Sequence, residues 1–256
     1  MKNSITIIWS FRNRIDVLIR SIQTADATCP KDIPFMLVDA DSEEKSIKQL
    51  REFLNTIIDR KIRVCETDYR TSLSEAWNLG MMLTDSRYVV FSSSDVEFLN
   101  GGWHEKIKNG VSNGFEYVLI ENHAVFLFDK KAISKMGWFD EEFKAGPHFD
   151  VDFMIRASEN NVKFSIVSNG GCYMHGHDDN KEFEKIRVNP NTTDDDDRVK
   201  DRLPMHDLYN ENYFKGKWQS GWEGWKNLVH PPTHISQVTR TKPEIDAHPQ
   251  YTKKYV

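Results

Sequence analysis

The chain lacks the two glycine motifs that most often mark nucleotide-binding domains. No GxGxxG follows the first apolar segment, and GxxxxGK[ST] occurs nowhere. A dinucleotide-binding fold and a P-loop enzyme are therefore not expected. Cysteine is also scarce, because the chain has only Cys29, Cys65 and Cys172, an odd number without a CxxC spacing. This usage predicts reduced thiols in a cytosolic compartment.

A basic excess and long hydrophobic runs are absent as well. The 34 Lys and Arg residues are outnumbered by 39 Asp and Glu residues, which gives a net charge of −5. Polyanion-binding proteins usually carry a basic excess, so a nucleic-acid partner is not expected, although a local basic groove is compatible with this balance. The apolar run at residues 4–10 is too short for a signal peptide, and no segment approaches the length of a membrane span. We expect a cytoplasmic protein that is soluble or peripheral to a membrane.

What the chain does have is the material for one α/β domain with a substantial core, since 39% of its 256 residues are hydrophobic. Apolar, β-branched segments alternate with segments of helical periodicity. The predicted strands cover residues 4–10, 34–39, 62–65 and 88–91, and the predicted helices cover residues 16–25, 45–58 and 72–83. This alternation predicts a mostly parallel sheet with right-handed crossovers. Because such sheets bind ligands beyond the carboxyl ends of their strands, Ser10, Asp39, Thr67 and Asp95 should gather on one edge.

The most informative segment is YVVFSSSDVEFLN, at residues 88–100. A buried strand here runs out into serines and then into Asp95 and Glu97, whose carboxylates project to the same side of an extended chain. Two hard oxygen ligands at the end of a strand suit a divalent cation that itself holds phosphates. From these residues alone, a polar turn at the end of a strand is an equally good interpretation.

Phosphate also needs cationic partners, and Arg12 and Arg14 follow the first predicted strand directly. The alternative is that both are solvated charges at the start of a helix. Cations gain nothing from the helix dipole at that end. Their unfavourable placement therefore favours a role in binding an anion.

Several segments, in this order, resemble motifs of inverting, family-2-like glycosyltransferases with the GT-A fold. They are TIIWSFRNR, VDADS, SLSEAWNLGMMLTDSRYVVFSSSDVEF, FLFDKKAISKMGWFDEEF, HFDVDFMIR and YMHGH. The FRNR and DVE stretches are especially similar to the β-1,4-galactosyltransferase group. The resemblance covers about residues 4–180. It implies a Rossmann-like α/β/α sandwich, which we expect at residues 1–215. Beyond the resemblance, the spacing of the tryptophans and then several prolines with little periodicity predict a C-terminal helix and extended tail at residues 216–256.

The same resemblance implies a metal-dependent, inverting transfer of a sugar from a nucleotide-diphosphate sugar, in particular a UDP-sugar, to an acceptor hydroxyl on a glycan or glycoconjugate. The implied cofactor is Mn²⁺ or Mg²⁺. The implied donor-binding residues are Ser10, Arg12, Arg14, Asp39, Asn78 and Ser94. Two alternatives stay open, namely a non-catalytic protein that binds sugar nucleotides or glycans, and a glycosyltransferase that acts on modified nucleic acid.

The resemblance gives two alignments of the metal motif. In one, the pair of acids falls on Ser93 and Asp95, and the first acid is lost. In the other, the pair is Asp95 and Glu97, and it is intact. The histidine that closes the metal site falls on His175, with His177 as the alternative, and an imidazole ligand favours Mn²⁺ over Mg²⁺.

The catalytic carboxylates are expected at the start of the helix HFDVDFMIRASE. The resemblance assigns the general base to Asp150, which would take the proton of the acceptor hydroxyl. Asp152 is its capping or acceptor-orienting partner, and Arg156 is spaced to pair with Asp152 along the helix. Phe149 stands where the family usually has Glu. Further on, Trp218, Trp222 and Trp225 have helical spacing, which favours core packing over an exposed surface that stacks on sugars.

Overall fold

A computed structural model describes residues 5–100, 102–121, 124–143, 148–167, 171–174, 204–218 and 252–255. The strands are β1 (Ile5–Phe11), β2 (Phe35–Asp39), β3 (Ile62–Glu66), β4 (Tyr88–Ser93), β5 (Val96–Phe98), β6 (Tyr117–Glu121), β7 (Val125–Asp129), β8 (Phe164–Ile166), β9 (Cys172–Met174) and β10 (Thr252–Tyr255). The helices are α1 (Ile15–Thr28), α2 (Glu44–Leu54), α3 (Leu73–Met82), α4 (Gly102–Ser112), α5 (Ile133–Met136), α6 (Phe149–Glu159) and α7 (Pro204–Trp218). A 3₁₀ turn, Lys130–Ala132, precedes α5.

The main sheet has the strand order β10-β3-β2-β1-β4-β7-β6-β8. Strands β1 to β4 run parallel to one another, and β8 runs parallel to β6. Strands β7 and β10 are antiparallel to their neighbours. The predicted order of strands and helices and the mostly parallel sheet are thus confirmed. A separate antiparallel pair, β5 and β9, extends from the end of β4.

Each face of the sheet is covered by helices, which makes an α/β/α sandwich. The first core cluster contains apolar side chains of α1, α2 and α4, and the second contains those of α3, α5 and α6. The inner strands are buried on both faces and therefore form continuous apolar runs in the sequence. All three cysteines are free and buried.

Helix α3 lies very close to the sheet because of Gly80. A Cβ at this position would lie 2.6 Å from Cγ2 of Ile8 on β1. The helix begins with a capping box, in which the Ser72 hydroxyl accepts from the Glu75 amide and the Glu75 carboxylate accepts from the Ser72 amide. The cap fixes where α3 begins, and the glycine fixes how closely it approaches β1.

The C-terminal part adds to this domain at two places. Helix α7 crosses the predicted division at residue 216, and its last residue, Trp218, is buried with Phe143, Val151, Ile155 and Phe214 in a third cluster. Strand β10 pairs with β3 and extends the sheet at that side. Trp222 and Trp225 lie outside the described residues. Among the described helices, none has both the length and the apolar character of a membrane span.

Candidate active site

The carboxyl ends of β1, β2 and β4 form one edge, as their register shows. Phe11 lies opposite Asp39, and Ser10 lies opposite Ser93. The chain that continues from β3 joins them, because the Thr67 hydroxyl donates to the carbonyl oxygen of Asp39 at 2.8 Å. The predicted convergence of polar residues on one edge of the sheet is confirmed for these strand ends.

The loop after β1 has an unusual backbone. Asn13 and Arg14 have φ values of 49° and 45°, in the left-handed region that non-glycine residues seldom adopt. The loop is fixed by the chain after β2, since the Asn13 amide donates to the Ser42 hydroxyl at 2.6 Å and the Asn13 side chain accepts from the Glu43 amide at 2.9 Å. Strained backbone of this kind is concentrated at ligand-binding positions.

The two predicted phosphate-binding arginines are placed differently in that loop. The Arg12 guanidinium donates to the carbonyl oxygen of Asp41 at 3.2 Å. Arg14 is buried, and its Nη2 atom has no hydrogen-bond partner in the described part of the chain. A buried guanidinium nitrogen in this position suits an anionic ligand.

Asp39 is nearly inaccessible at the end of β2, with 2% of its surface exposed. Both carboxylate oxygens accept from the Ser42 amide, at 3.1 and 3.2 Å. Burial raises the pKa of Asp39 to about 6, the nearby Glu66 adds to the shift, and the hydrogen bonds from Ser42 oppose it. In the folded protein the pKa of this carboxyl thus lies well above its usual value of 3.8.

The turn between β4 and β5 carries Ser94 and Asp95, both half-buried. Ser93 is anchored before the turn, because its amide donates to the carbonyl oxygen of Ala124 at 2.8 Å. Glu97 belongs to β5 and forms an ion pair with Arg20 of α1. The two acids of the DVE motif are therefore in different surroundings, since the carboxylate of Glu97 is already matched by a cation.

The third implied metal ligand, His175, and its alternative, His177, lie outside the described residues. Within the described ranges, no three His, Cys, Asp or Glu side chains form a metal-binding cluster. Asp95 nonetheless fits the kind of site in which a cation takes one or two carboxylates and completes its shell with substrate phosphates.

Asp150 lies in the first turn of α6, as predicted, and is half-buried. Its Oδ1 atom accepts from the Val151 amide at 2.9 Å. The start of α6 is held over α3, because the Phe149 ring lies 5.4 Å from the ring of Trp77. Trp77 in turn lies 4.9 Å from Phe91, near the carboxyl end of β4. Phe149, where the family usually has Glu, thus packs against an aromatic cluster.

The surroundings of Asp152 do not support the predicted acceptor-orienting role. Its side chain has no exposed surface and forms the predicted pair with Arg156, at 2.8 Å. Lys217 and the indole nitrogen of Trp218 occupy its other oxygen, at 2.8 and 2.9 Å. A carboxylate with this many partners is a structural connection between α6 and α7. Prediction from local spacing missed Lys217, because it is 65 residues away along the chain.

Asn78 also has a structural role. Its side-chain nitrogen donates to the carbonyl oxygen of Phe139 at 2.9 Å and to the carboxylate of Glu141 at 2.8 Å. Its oxygen accepts from the Phe139 amide at 3.0 Å. Since Asn78 is fully buried and its amide is used in this way, its side chain is not available to contact a donor directly. Burial raises the pKa of Glu141 above its usual value.

An α/β/α sandwich with polar strand ends on one edge is an architecture that binds its ligands at that edge. Residues 6–148 match the model of glycosyl transferase family 2. The chain belongs to this family. No curated protein sequence matches the chain.

Solved structures with the same fold include S. aureus TarS and a mannosyltransferase from Pyrobaculum calidifontis. TarS (residues 1–349) has a TM-score of 0.55 at 13% identity, covering 65% of this chain and 58% of TarS. The mannosyltransferase, in complex with GDP-Man and Mn²⁺, has a TM-score of 0.59 at 12% identity, covering 73% and 61%. The TarS complex with UDP-GlcNAc has a TM-score of 0.58 at 12% identity, covering 89% and 76%. At such identities the likeness concerns the fold, and in the first two of these three comparisons the chain spans less than two thirds of the matched structure.

Proposed function

We propose that the chain is a metal-dependent, inverting glycosyltransferase that moves a sugar from a UDP-sugar to an acceptor hydroxyl on a glycan or glycoconjugate. The observation that carries this proposal is the shared edge of β1, β2 and β4, where Ser10, Asp39 and the turn with Asp95 lie together in a family 2 domain. The fold neighbours bind nucleotide sugars, in one case with Mn²⁺.

The donor would lie along this edge. Asp39 would accept hydrogen bonds from the ribose or base, and Arg12 and Arg14 would face the diphosphate. Ser10 and Ser94 are the hydroxyls beside it. Asp95 would hold Mn²⁺ or Mg²⁺ together with the donor phosphates, and such a cation supplies charge that stabilises the departing nucleotide.

The transfer step would use Asp150. Its carboxylate would take the proton from the acceptor hydroxyl as that oxygen bonds to the anomeric carbon and the bond to the nucleotide diphosphate breaks. Attack from the face opposite the leaving group inverts the anomeric centre. Asp152 takes no part in the proton transfer, because its oxygens are bound by Arg156, Lys217 and Trp218.

A panel of UDP, GDP and CMP, with and without Mn²⁺, tests the donor site by thermal stabilisation. We expect UDP with Mn²⁺ to raise the Tm of the wild type and of Glu97→Gln, whose side chain is paired with Arg20. The rise should be lost in Asp95→Ala. Equal, metal-independent stabilisation of the wild type and Asp95→Ala would remove Asp95 from the site. A loss in Glu97→Gln as complete as in Asp95→Ala would instead favour the Asp95 and Glu97 motif with both acids as ligands.

A non-catalytic sugar-nucleotide-binding protein is the second candidate. It is favoured by the ion pair of Glu97 with Arg20 and by the aromatic packing of Phe149 where the family usually has Glu. Release of UDP from UDP-glucose, UDP-galactose and UDP-GlcNAc, with and without simple sugar acceptors, separates the two candidates. Stabilisation by UDP and Mn²⁺ without any release of UDP would favour the binding protein.

A further inference from the structure

Helix α7 lies beyond the residues that match family 2, yet two of its side chains end inside the protein against α6. We propose that Lys217 is a positioning residue for the transfer reaction, which acts through Asp152 on the first turn of α6 and so on the carboxylate of Asp150. This inference rests on the proposed role of Asp150 as the base.

Lys217 joins two carboxylates that belong to separate segments of the chain. Its side chain is 3% exposed and forms ion pairs with Asp140 and, at 2.8 Å, with Asp152. Arg156 supplies the second positive charge, so two cations balance two buried carboxylates. Burial alone would raise the pKa of Asp140, but the Lys217 ammonium outweighs it and holds this pKa below its usual value.

A buried ion pair of this kind contributes more to the specificity of helix packing than to the net stability of the fold. Removing charges from water costs about as much as their attraction returns, so apolar residues in the same places are often as stable or more stable. Hydrogen-bonded charges differ from apolar contacts because they require particular atoms at particular distances. The ion pairs of Lys217 therefore constrain the register of α6 against α7 more closely than non-directional apolar contacts, such as those of Phe214 and Val151 in the third cluster, can do.

The contacts with α7 lie on both sides of Asp150. Two residues before it, the His148 ring lies 5.5 Å from the Phe214 ring of α7, and His148 has a strained φ of 85°. Two residues after it, Asp152 is bound by Lys217 and Trp218. The backbone that carries Asp150 is thus held at two points by the same helix. A small displacement of a catalytic group can reduce a rate about 100-fold.

Helix α7 also holds the segment that leads towards α6. Asp140 accepts from the Tyr213 hydroxyl at 2.8 Å and from the Glu142 amide at 3.0 Å. Asn78 of α3 holds the neighbouring Phe139. Lys217 is the cation shared by Asp140 of this segment and Asp152 of α6. A substitution of Lys217 should therefore affect the positions of both carboxylates.

The test compares Lys217→Met with Lys215→Met in the full chain. Both substitutions remove a lysine from the end of α7, but Lys215 is 48% exposed and pairs along its own helix with Glu211. We expect Lys217→Met to lower kcat about 10- to 100-fold while KM for the UDP-sugar and the affinity for UDP with Mn²⁺ stay within about twofold. Lys215→Met should keep kcat within about twofold of the wild type.

Trp218→Phe is the milder second variant, to be used if Lys217→Met does not fold. It removes the indole donor to Asp152 and keeps an aromatic ring in the third cluster. We expect a smaller fall in kcat, again without a change in UDP affinity. A folded variant with the kcat of Lys215→Met, or one that loses kcat and UDP binding together, would show that α7 supports the fold in general and does not position Asp150.

A structural readout separates this inference from the proposed function. Amide hydrogen exchange of residues 149–152 should be faster in Lys217→Met than in Lys215→Met, whether or not the wild type transfers a sugar. If the wild type is inactive with every donor and exchange still rises, the coupling stands and the proposed function fails. If exchange at these residues is equal in the two variants, the positioning role is overturned.

Discussion

Asn78 holds the backbone of Phe139 from both sides, with its side-chain oxygen 3.0 Å from the Phe139 amide and its side-chain nitrogen 2.9 Å from the carbonyl oxygen. This one amide joins α3, which contacts β1, to the segment before α6. The Phe139 ring stacks on Phe153 of α6 with a centroid distance of 3.9 Å. The placement of α6 therefore depends on Asn78 as well as on α7.

Replacing Asn78 by alanine should destabilise the fold. The Phe139 amide and carbonyl would lose their partners in a buried setting, and each unsatisfied group costs about 1 to 3 kcal/mol. We expect Asn78→Ala to lower the free energy of unfolding by roughly 2 to 4 kcal/mol in urea. Asn113→Ala is the control, because the exposed Asn113 side chain donates to the Asn109 carbonyl one helical turn earlier. A similar loss in both variants would contradict the role given to Asn78.

The close approach of α3 to β1 gives a second prediction. A methyl group at Gly80 would meet Cγ2 of Ile8 at 2.6 Å, and neither the strand nor the helix can move away easily in a packed core. We expect Gly80→Ala to destabilise by about 1 to 3 kcal/mol.

Gly216 is a control position, at which substitution by alanine should have the opposite effect on stability. It lies in α7, and a Cβ there would meet nothing within 4 Å. Because alanine favours helix more than glycine does, Gly216→Ala should stabilise by up to about 1 kcal/mol. Chemical unfolding of both variants measures the difference. If Gly80→Ala is as stable as the wild type, α3 is not held against β1 as closely as its packing indicates.

The raised pKa of Asp39 predicts how stability depends on pH. The unfolded chain releases this proton near pH 3.8, whereas the folded protein keeps it to about 6. Between these values the unfolded state binds fewer protons, so stability falls as the pH rises, and the full penalty is present above pH 6. An asparagine side chain cannot ionise, so Asp39→Asn should be the more stable protein at neutral pH.

The difference in the free energy of unfolding between Asp39→Asn and the wild type should grow by about 2 kcal/mol from about pH 4.5 to about pH 7.5. Urea unfolding at both values measures it, and Asp32→Asn, at an exposed position, controls for the loss of one negative charge. A gap that is the same at both pH values would mean that Asp39 ionises normally in the folded protein. The same variant should bind UDP more weakly, since the carboxylate is proposed to accept from the nucleoside.

Much of the fold could be predicted from local patterns. The strands and helices of the first half of the chain have clear apolar periodicity, and the predicted strand at residues 88–91 is the start of β4. The i,i+4 pair of Asp152 and Arg156 was also visible in the spacing and is confirmed. The pairing of β10 with β3 was not predictable, because it joins residues about 190 positions apart and no local pattern specifies such a partner.

The candidate site was also predictable where local sequence patterns determine it and not where contacts between distant residues do. Residues that follow parallel strands share an edge by topology, so Ser10, Asp39 and Asp95 could be placed from the sequence. The structural roles of Asn78 and Asp152 could not be predicted from the sequence. A buried amide or carboxylate cannot be distinguished from a functional one until its hydrogen-bond partners are known. Those partners, Phe139 and Lys217, come from distant parts of the chain.

Asp150 is the residue whose replacement tests the proposed transfer step. Its carboxylate is half-buried at the start of α6, and it accepts a hydrogen bond from the Val151 amide that an asparagine oxygen can also accept. Asp150→Asn should therefore fold normally and bind UDP with Mn²⁺ as the wild type does. An amide cannot take the acceptor proton, so kcat should fall at least about 100-fold, in the range that general-base catalysis contributes. Initial rates of UDP release with acceptor measure this, and Glu105→Gln, an exposed acid on α4, is the matched loss of one charge. Near-normal turnover in Asp150→Asn would remove Asp150 as the base and leave the donor site unaffected.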